Sequence, residues 1–313
     1  MKSYWNKARN NVDYYEESTG NSEIRLAFEV RIYFESDLQR HAEGILQFYE
    51  KAIEAANTEF NFWFTPFSAR YASDGLVHFR KSNKTMHSYL AKWIEQKKWE
   101  KAFALELHAS PSDLEVGDTS VQICNDPYQA GYLRLLLPVE TFERGTEAIL
   151  ELLEHLVGDL DYISGYVGPG VNVFSPAYQK LTIFSDEVPK RLQRYHCVDF
   201  TSPFIFKNFE EDGLLNVGWM TLLGKKRRKQ SKLKTGFFSD QFNNINTHKV
   251  GKGLCLQVQE FPSVGEVGHD GIDNYKKACR LIGKAKLSGS KVDPFDSLGN
   301  TQVTVDWVDR FFN

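Results

Sequence analysis

The stretch IRLAFEVRIYF, residues 24–34, decides the fold. Every even-numbered position in it is apolar, whereas the odd-numbered positions include Arg25, Glu29 and Arg31. A period of two over eleven residues is typical of a β-strand that buries one of its faces. The even positions are Ile24, Leu26, Phe28, Val30, Ile32 and Phe34.

A long amphipathic helix is predicted directly after this strand. Ser36 and Gln39 fit a capping box at its start. Apolar residues then recur at spacings of three and four to about Ala56, which is the period of a helix with one buried side. These apolar residues are Leu38, Ala42, Ile45, Tyr49 and Ile53.

The next elements continue the alternation of strands and helices. FNFWF (60–64), LVHFR (76–80) and FALELH (103–108) are strand-like, and a helix is predicted around Met86–Trp99. The pattern partly recurs in the strand YLRLLLPVE (132–140) and the apolar stripe that follows it. We therefore expect an α+β fold with a mostly antiparallel sheet and long amphipathic helices on one face. Two related halves are an open alternative.

Domain boundaries follow from this order of elements. Residues 1–22 are interpreted as an N-terminal arm, and 23–128 as a first α+β half. Residues 129–286 form a second half, which contains helices near Asp186–Tyr195 and Asp273–Lys286 and a basic loop at 225–234. The tail, 287–313, is expected to pack on the body through Val303, Val305 and Trp307.

Composition narrows the class of protein. With 313 residues, of which 42% are hydrophobic, the chain has ample material for a core. It has no apolar run near the ~18 residues that cross a bilayer and no apolar leader at its start, so we expect a soluble, cytoplasmic protein. The four cysteines are far apart and indicate free, buried thiols.

Few residues suggest catalysis. His155, Asp159 and Asp161 span a predicted helix end, where their side chains need not converge, so ordinary surface charge is the favoured interpretation. GYVGPG (165–170) is interpreted as a tight turn, and adjacent His196 and Cys197 as unpaired. His78 and His108 are expected on the semi-exposed face of a sheet. We expect no catalytic residue, cofactor or metal.

Charge is distributed unevenly along the chain. Seven Lys and Arg residues lie between Lys225 and Lys234, and subtracting them from the formal charge of −3 leaves −10 for the rest. An acidic body with one basic loop differs from a nucleic-acid-binding domain, whose positive charge covers a whole face. A plain solvated loop and a partner contact are the two main interpretations. The candidate contact residues are Glu210, Glu211, Asp212, Lys225, Lys226, Arg227, Arg228 and Lys229.

Two segments of the C-terminal half resemble a known family. GLLNVGWMTLLG (213–224), followed by a segment that includes GLCLQVQEFPSVGEVG (253–268), is similar to the paired signature of type VI secretion immunity proteins, described as immunity to VRR-nuclease effectors. The resemblance covers roughly residues 23–285. Met220 stands where Leu is usual, and Glu266 replaces an Asp. The matching positions are Asn216, Trp219 and Thr221, then Pro262, Gly265 and Tyr275.

The resemblance implies an immunity protein that binds a secreted toxin in the cytoplasm and blocks its active site. It implies a toxin protein as partner, with no membrane and no direct nucleic-acid contact. We expect an acidic surface to meet the basic channel of a nuclease. The motif residues are types that mark packing and turns, so they are expected to be structural. A nucleic-acid-binding module using residues 225–234 and an enzyme of unrecognised type remain as alternatives.

Overall fold

We describe the fold from a computed structural model of the chain. Seven helices of the described residues are labelled α1 to α7, and ten strands β1 to β10. The described residues are 2–35, 38–64, 83–96, 103–112, 115–126, 129–158, 160–173, 187–200, 213–214, 217–231, 233, 245–268, 271–285, 306–307 and 309–311.

The described strands form a single antiparallel sheet, which confirms the predicted α+β class. Their order is β3-β4-β5-β6-β2-β7-β8-β10-β9, and β1 pairs with β2 outside this path. The sheet therefore includes strands from both predicted halves. The strands are β1 (Tyr14–Tyr15), β2 (Ser22–Phe34), β3 (Phe62–Phe64), β4 (Phe103–Ala109), β5 (Thr119–Asp126), β6 (Gln129–Pro138), β7 (Tyr162–Val173), β8 (Met220–Leu223), β9 (Asn246–Val250) and β10 (Gly253–Gln257).

The opening stretch is the central strand, β2. It pairs with β6 from Ala27↔Pro138 to Phe34↔Gly131 and with β7 from Ile24↔Val173 to Phe34↔Tyr162. Its even-numbered side chains join the main hydrophobic cluster, as their period predicts. We call the side of the sheet to which they point the front face, and the opposite side the back face.

Five helices contribute to the front-face cluster. The helices Leu38–Ala56 and Gly145–Val157 each present a buried apolar stripe to the sheet. In Gly145–Val157 this stripe is Ile149, Leu153 and Leu156. The five helices are α1 (Lys2–Val12), α2 (Leu38–Ala56), α3 (Asn83–Glu95), α4 (Gly145–Val157) and α5 (Val188–Arg194).

A second cluster lies on the back face of β8 and β10. It joins α7 (Asp273–Ile282) to the sheet through Tyr275, Cys279, Leu254 and Leu256. The basic helix α6 (Lys225–Ser231) contacts α7 and the 3-10 helix Gly283–Ala285 that follows it. A further 3-10 helix, Val139–Arg144, precedes α4.

The N-terminal arm contains regular structure, contrary to expectation. Lys2–Val12 is a helix, and Trp5 is 1% exposed because its ring stacks on Phe142 at 4.6 Å between centroids. Trp5 of the arm therefore belongs to the core, and Tyr4 and Tyr14 pack against it partly buried. The division into two halves stays a prediction. Its boundary falls in the β5–β6 hairpin, and β5 itself was not predicted.

The predicted turn GYVGPG (165–170) is wrong, because these residues lie inside β7. Their glycines allow neighbouring groups to lie close to the β7 backbone and do not reverse the chain. A Cβ on Gly170 would lie 1.9 Å from Oε2 of Glu29, and one on Gly165 would lie 2.7 Å from the carbonyl oxygen of Arg31. Pro169 has no N–H to donate to a neighbouring strand. It is tolerated here because its partner on this edge of β7 is the backbone of Asp199, whose N–H donates to the Pro169 carbonyl at 2.8 Å.

The predicted basic loop is also wrong over residues 225–231, which form α6. Lys, Arg and Gln are good helix formers, and tertiary contacts fix the segment despite repulsion between like charges. Arg227 is 0% exposed and donates from Nη1 to Oε1 of Gln230 at 2.8 Å. It is therefore a packing residue rather than an exposed contact, whereas Lys225, Lys226 and Lys229 are exposed.

Candidate partner-binding site

The motif residues of the C-terminal half hold one loop in place. Trp219 and Thr221 are buried at the start of β8. The indole Nε1 of Trp219 donates to the carbonyl oxygen of Gln259 at 2.8 Å, and the hydroxyl of Thr221 accepts from the backbone N–H of Gly218 at 3.1 Å. The Trp219 ring lies edge-on to Phe142 at 5.7 Å.

Pro262, Gly265 and Glu266 lie in the same loop, residues 258–268, and Tyr275 follows on α7. Gly265 has φ +64°, and its carbonyl accepts from the N–H of His196 at 3.0 Å. Oε1 of Glu266 accepts from Arg194 at 2.7 Å, so this carboxylate closes an ion pair. Pro262 is buried beside these contacts, and Tyr275 is buried and stacked on Phe311 at 5.2 Å. Asn216 lies outside the described residues.

The loop presents Phe261 to solvent, with 49% of its surface exposed. Beside it is an open groove of about 1150 Å³ between the start of α4 and the ends of β9 and β10. Most of its described lining residues are polar or charged in type, and Leu150 and Phe261 add apolar surface. Its lining includes Arg144, Thr146, Glu147, Asn246, His248, Gln257, Gln259, Glu260 and Asn274. Sequence reasoning missed this site because periodicity does not show which aromatic residue stays exposed.

An acidic surface on the front helices continues from this groove. α2 and α4 pack against each other, and together they carry six exposed glutamates against two cationic residues, Arg40 and Lys51. Arg40 already pairs with Asp161, and Lys51 with Glu54 at 3.1 Å. We call this surface the acidic helix face. Its glutamates are Glu43, Glu50, Glu54, Glu147, Glu151 and Glu154.

The structure describes only one of the two predicted contact clusters, the basic one. Glu210, Glu211 and Asp212 lie outside the described residues. In the basic cluster, Lys225, Lys226 and Lys229 are exposed on α6, Arg228 is half-buried and Arg227 is buried. The basic cluster therefore lies on a helix, and one of its five residues, Arg227, is buried.

The back face of the sheet centre holds a buried charge cluster that sequence reasoning placed at a half-exposed surface. Glu29, 0% exposed, accepts from Nε of Arg31 at 2.8 Å and from Nε of Arg134 at 2.8 Å. Nη2 of Arg31 also lies 2.8 Å from Oδ2 of Asp199. Each of these guanidinium groups thus has a carboxylate partner, as buried charges require, and the buried Arg310 also interacts electrostatically with Asp199.

The residues considered for catalysis are not assembled. His155 is exposed, Asp161 is engaged by Arg40, and Asp159 lies outside the described residues. The described residues contain no group of three His, Cys, Asp or Glu side chains suited to a metal ion. His108 is buried rather than semi-exposed, with Nε2 3.3 Å from Oε2 of Glu106. His78 lies outside the described residues.

The thiols are free and buried, as predicted. Burial raises the pKa of the Cys255 thiol, which keeps it protonated and unreactive at neutral pH. Burial also lowers the pKa of His196, assisted by the positive charges of Arg310 and Lys276. None of the helices in the described ranges combines the length and the hydropathy that a membrane span requires.

Comparison with known proteins identifies the family. A family model described as type VI immunity for VRR-NUC matches residues 44–311. The chain belongs to this family. It is therefore a type VI secretion immunity protein, and the family resemblance of its C-terminal motifs is confirmed.

A solved structure agrees on the fold. The Pseudomonas aeruginosa T6SS protein PA0821 matches with a TM-score of 0.76 at 14% sequence identity, over 99% of this chain and 90% of that chain. At this identity the likeness concerns the fold. No curated protein matches the sequence.

Proposed function

We propose that this immunity protein acts in the cytoplasm by binding a VRR-NUC effector directly and covering its nucleic-acid-binding site, without chemistry of its own. Family membership supports an effector of this class as the partner. The arrangement of the described side chains favours binding over catalysis, because the candidate catalytic groups are dispersed, ion-paired or buried.

The acidic helix face is the observation that carries the proposal. On α4, Glu147, Glu151 and Glu154 follow one another at four and three residues, so they share one side of the helix. On α2, Glu43, Glu50 and Glu54 are likewise all exposed. Since α2 and α4 are in contact, these carboxylates create a negative potential over a broad surface.

A nuclease binds the phosphate backbone through Lys and Arg, so its substrate channel carries positive potential. An acidic surface that enters this channel competes with the nucleic acid for the same charges. Complementary potentials also accelerate encounter, which matters for an inhibitor that must capture an incoming toxin. This favours the acidic helix face over α6 as the docking surface.

The basic helix α6 is the alternative docking surface. Lys225, Lys226 and Lys229 are exposed on it, and they would suit the carboxylates of a nuclease metal centre. Glu210, Glu211 and Asp212 also remain proposed contacts, because their negative charge would suit the same basic channel. α6 offers three exposed charges on two turns, a smaller surface than the two long front helices.

Two matched charge reversals separate these surfaces. Glu147→Lys with Glu151→Lys alters the acidic helix face, and Lys225→Glu with Lys229→Glu alters α6. We expect the first pair to slow association with the purified effector at least 10-fold at low salt, with a smaller effect at high salt. The second pair should change the rate less than 3-fold. The opposite ranking, or no change in either pair, would reject the acidic helix face.

Inhibition is measured in parallel on the same proteins. The wild-type protein should suppress nucleic-acid cleavage by the effector at an equimolar ratio. It should also restore growth of cells that express the effector. The proposal fails if the wild-type protein forms no complex with the effector, or if the complex still binds nucleic acid with undiminished affinity.

A further inference from the structure

Phe261 is the exposed aromatic residue of the loop that the family motifs support. Scattered exposed apolar residues are normal on protein surfaces, so its 49% exposure alone indicates nothing. Tyr15, at 47%, is a comparable case elsewhere on the described surface. What distinguishes Phe261 is the rigidity of its support and the groove at its side.

The loop is held in place on both sides of Phe261. On one side, the N–H of Val258 donates to the Trp219 carbonyl at 2.9 Å, and the Trp219 indole donates to Gln259. On the other, the N–H of Val264 donates to the hydroxyl of Tyr4 at 2.9 Å. The Phe261 carbonyl itself accepts from Nε2 of Gln259 at 2.7 Å. The loop backbone therefore has little conformational entropy left to lose when a partner covers this side chain.

The adjoining groove is ordered by its own hydrogen bonds. The ring Nε2 of His248 lies 2.8 Å from Oε1 of Gln257, and Nε2 of Gln257 donates to the hydroxyl of Thr146 at 3.1 Å. Glu147 and Glu260 line the same groove and give it negative charge, which Arg144 offsets in part. Because Glu147 also belongs to the acidic helix face, the groove is continuous with the surface proposed to meet the effector.

We infer that Phe261 is the anchor of the effector interface and that the groove receives an exposed segment of the VRR-NUC effector. This segment would carry an apolar side chain against Phe261 and a Lys or Arg toward Glu147 and Glu260. The inference rests on the proposed function. The anchor adds to that function because the charges speed the encounter with the effector, whereas the aromatic anchor determines how long the complex lasts.

The test is Phe261→Ala with Tyr15→Ala as the matched control. Each variant removes an aromatic side chain that is about half exposed, and Tyr15→Ala also removes a contact with Arg25. The melting temperature of both is measured first, and affinities are compared where both variants are folded. We expect Phe261→Ala to raise the Kd for the purified effector at least 10-fold, chiefly through faster dissociation. Tyr15→Ala should remain within 3-fold of wild type. Equal affinities for Phe261→Ala and wild type would overturn the inference.

Filling the groove provides a second, independent measurement. Asn274 lines the groove from the first turn of α7, and Asn274→Trp would occupy the space proposed for the effector segment. We expect at least 10-fold weaker binding with an unchanged fold, and wild-type affinity would contradict the assignment. Failure of the wild-type protein to bind would reject the proposed function itself. Normal wild-type binding with unaffected variants would reject only the anchor.

Discussion

The indole Nε1 of Trp219 donates a 2.8 Å hydrogen bond to the carbonyl oxygen of Gln259. This bond joins the two segments that carry the family motifs, across forty residues of chain. Gln259 in turn donates from its side chain to the Phe261 carbonyl, so the backbone that carries the exposed Phe261 is tied to the buried Trp219. The motif residues thus support a surface that they do not themselves form.

Replacing Trp219 with Phe should therefore weaken both stability and binding. The change removes one buried hydrogen bond and part of a buried ring, which we expect to cost about 1–3 kcal/mol of unfolding free energy in a urea titration. Effector affinity should also fall, because the loop loses a tether. Trp5→Phe removes the same volume from the same aromatic cluster. Equal effector affinities in the two variants would contradict the coupling.

Gly265 should not tolerate a side chain. Its φ of +64° disfavours an L residue, and a Cβ would lie 2.4 Å from Sγ and 2.8 Å from N of Cys197. Gly265→Ala should lower the unfolding free energy by about 2–4 kcal/mol. Gly268 is the matched control, because it has φ +83° and nothing lies within 4 Å of its Cβ position. A side chain there would incur the cost of the backbone conformation without a steric clash. Gly268→Ala should cost about 1 kcal/mol, and similar losses at both sites would contradict the steric argument.

Glu29→Ala should be among the most destabilising single changes. It would leave Arg31 and Arg134 buried with one carboxylate, Asp199, to balance two positive charges. Removing one partner of a buried ion pair costs about 3–5 kcal/mol. Glu54→Ala, which breaks the exposed pair with Lys51, should cost less than about 1 kcal/mol. Chemical denaturation of both variants gives the comparison, and comparable losses would show that the cluster is not needed for stability.

Asp13 should make stability fall with rising pH in the mildly acidic range. Burial raises its pKa from 3.8 to about 6, although the Leu26 N–H and Arg25 favour the carboxylate. Between these values the folded state holds the proton more tightly than the unfolded state. The stability from this group is present below pH 3.8 and is lost as pH rises to about 6.

Asp13→Asn removes this titration. Urea denaturation at about pH 4, 5, 6 and 7 should show the variant gaining stability relative to wild type up to about pH 6 and a constant difference above it. A difference independent of pH would show that Asp13 has an ordinary pKa in the folded protein.

Periodicity predicted what depends on local pattern. The alternation in residues 24–34 identified β2 and its buried face, and the apolar stripe of α4 matched the structure. It could not show that Arg31 and Glu29 on the other face are also buried, because their burial depends on partners far along the chain. The turn predicted at 165–170 failed for the same reason, since its glycines accommodate Glu29 of a neighbouring strand.

The candidate site was less predictable than the fold. The motif residues Trp219 and Gly265 were found from sequence, but Phe261 was merely part of the family-like segment 253–268. Its exposure depends on how the loop is tied to Tyr4 and Thr146, more than a hundred residues earlier. Charge counting located the basic run and the acidic body, but Arg227 within the run proved to be buried because α6 packs against α7.

The central position of β2 affects how quickly protection can be produced. Its partner β7 begins at Tyr162, so a ribosome adding 5–20 residues per second makes β2 wait roughly 6–26 s for that ladder. Sheets dominated by such distant pairings also fold slowly once the chain is complete. During the wait for β7, the β7-side edge of β2 has no native partner, so the nascent chain is open to non-native association until β7 arrives.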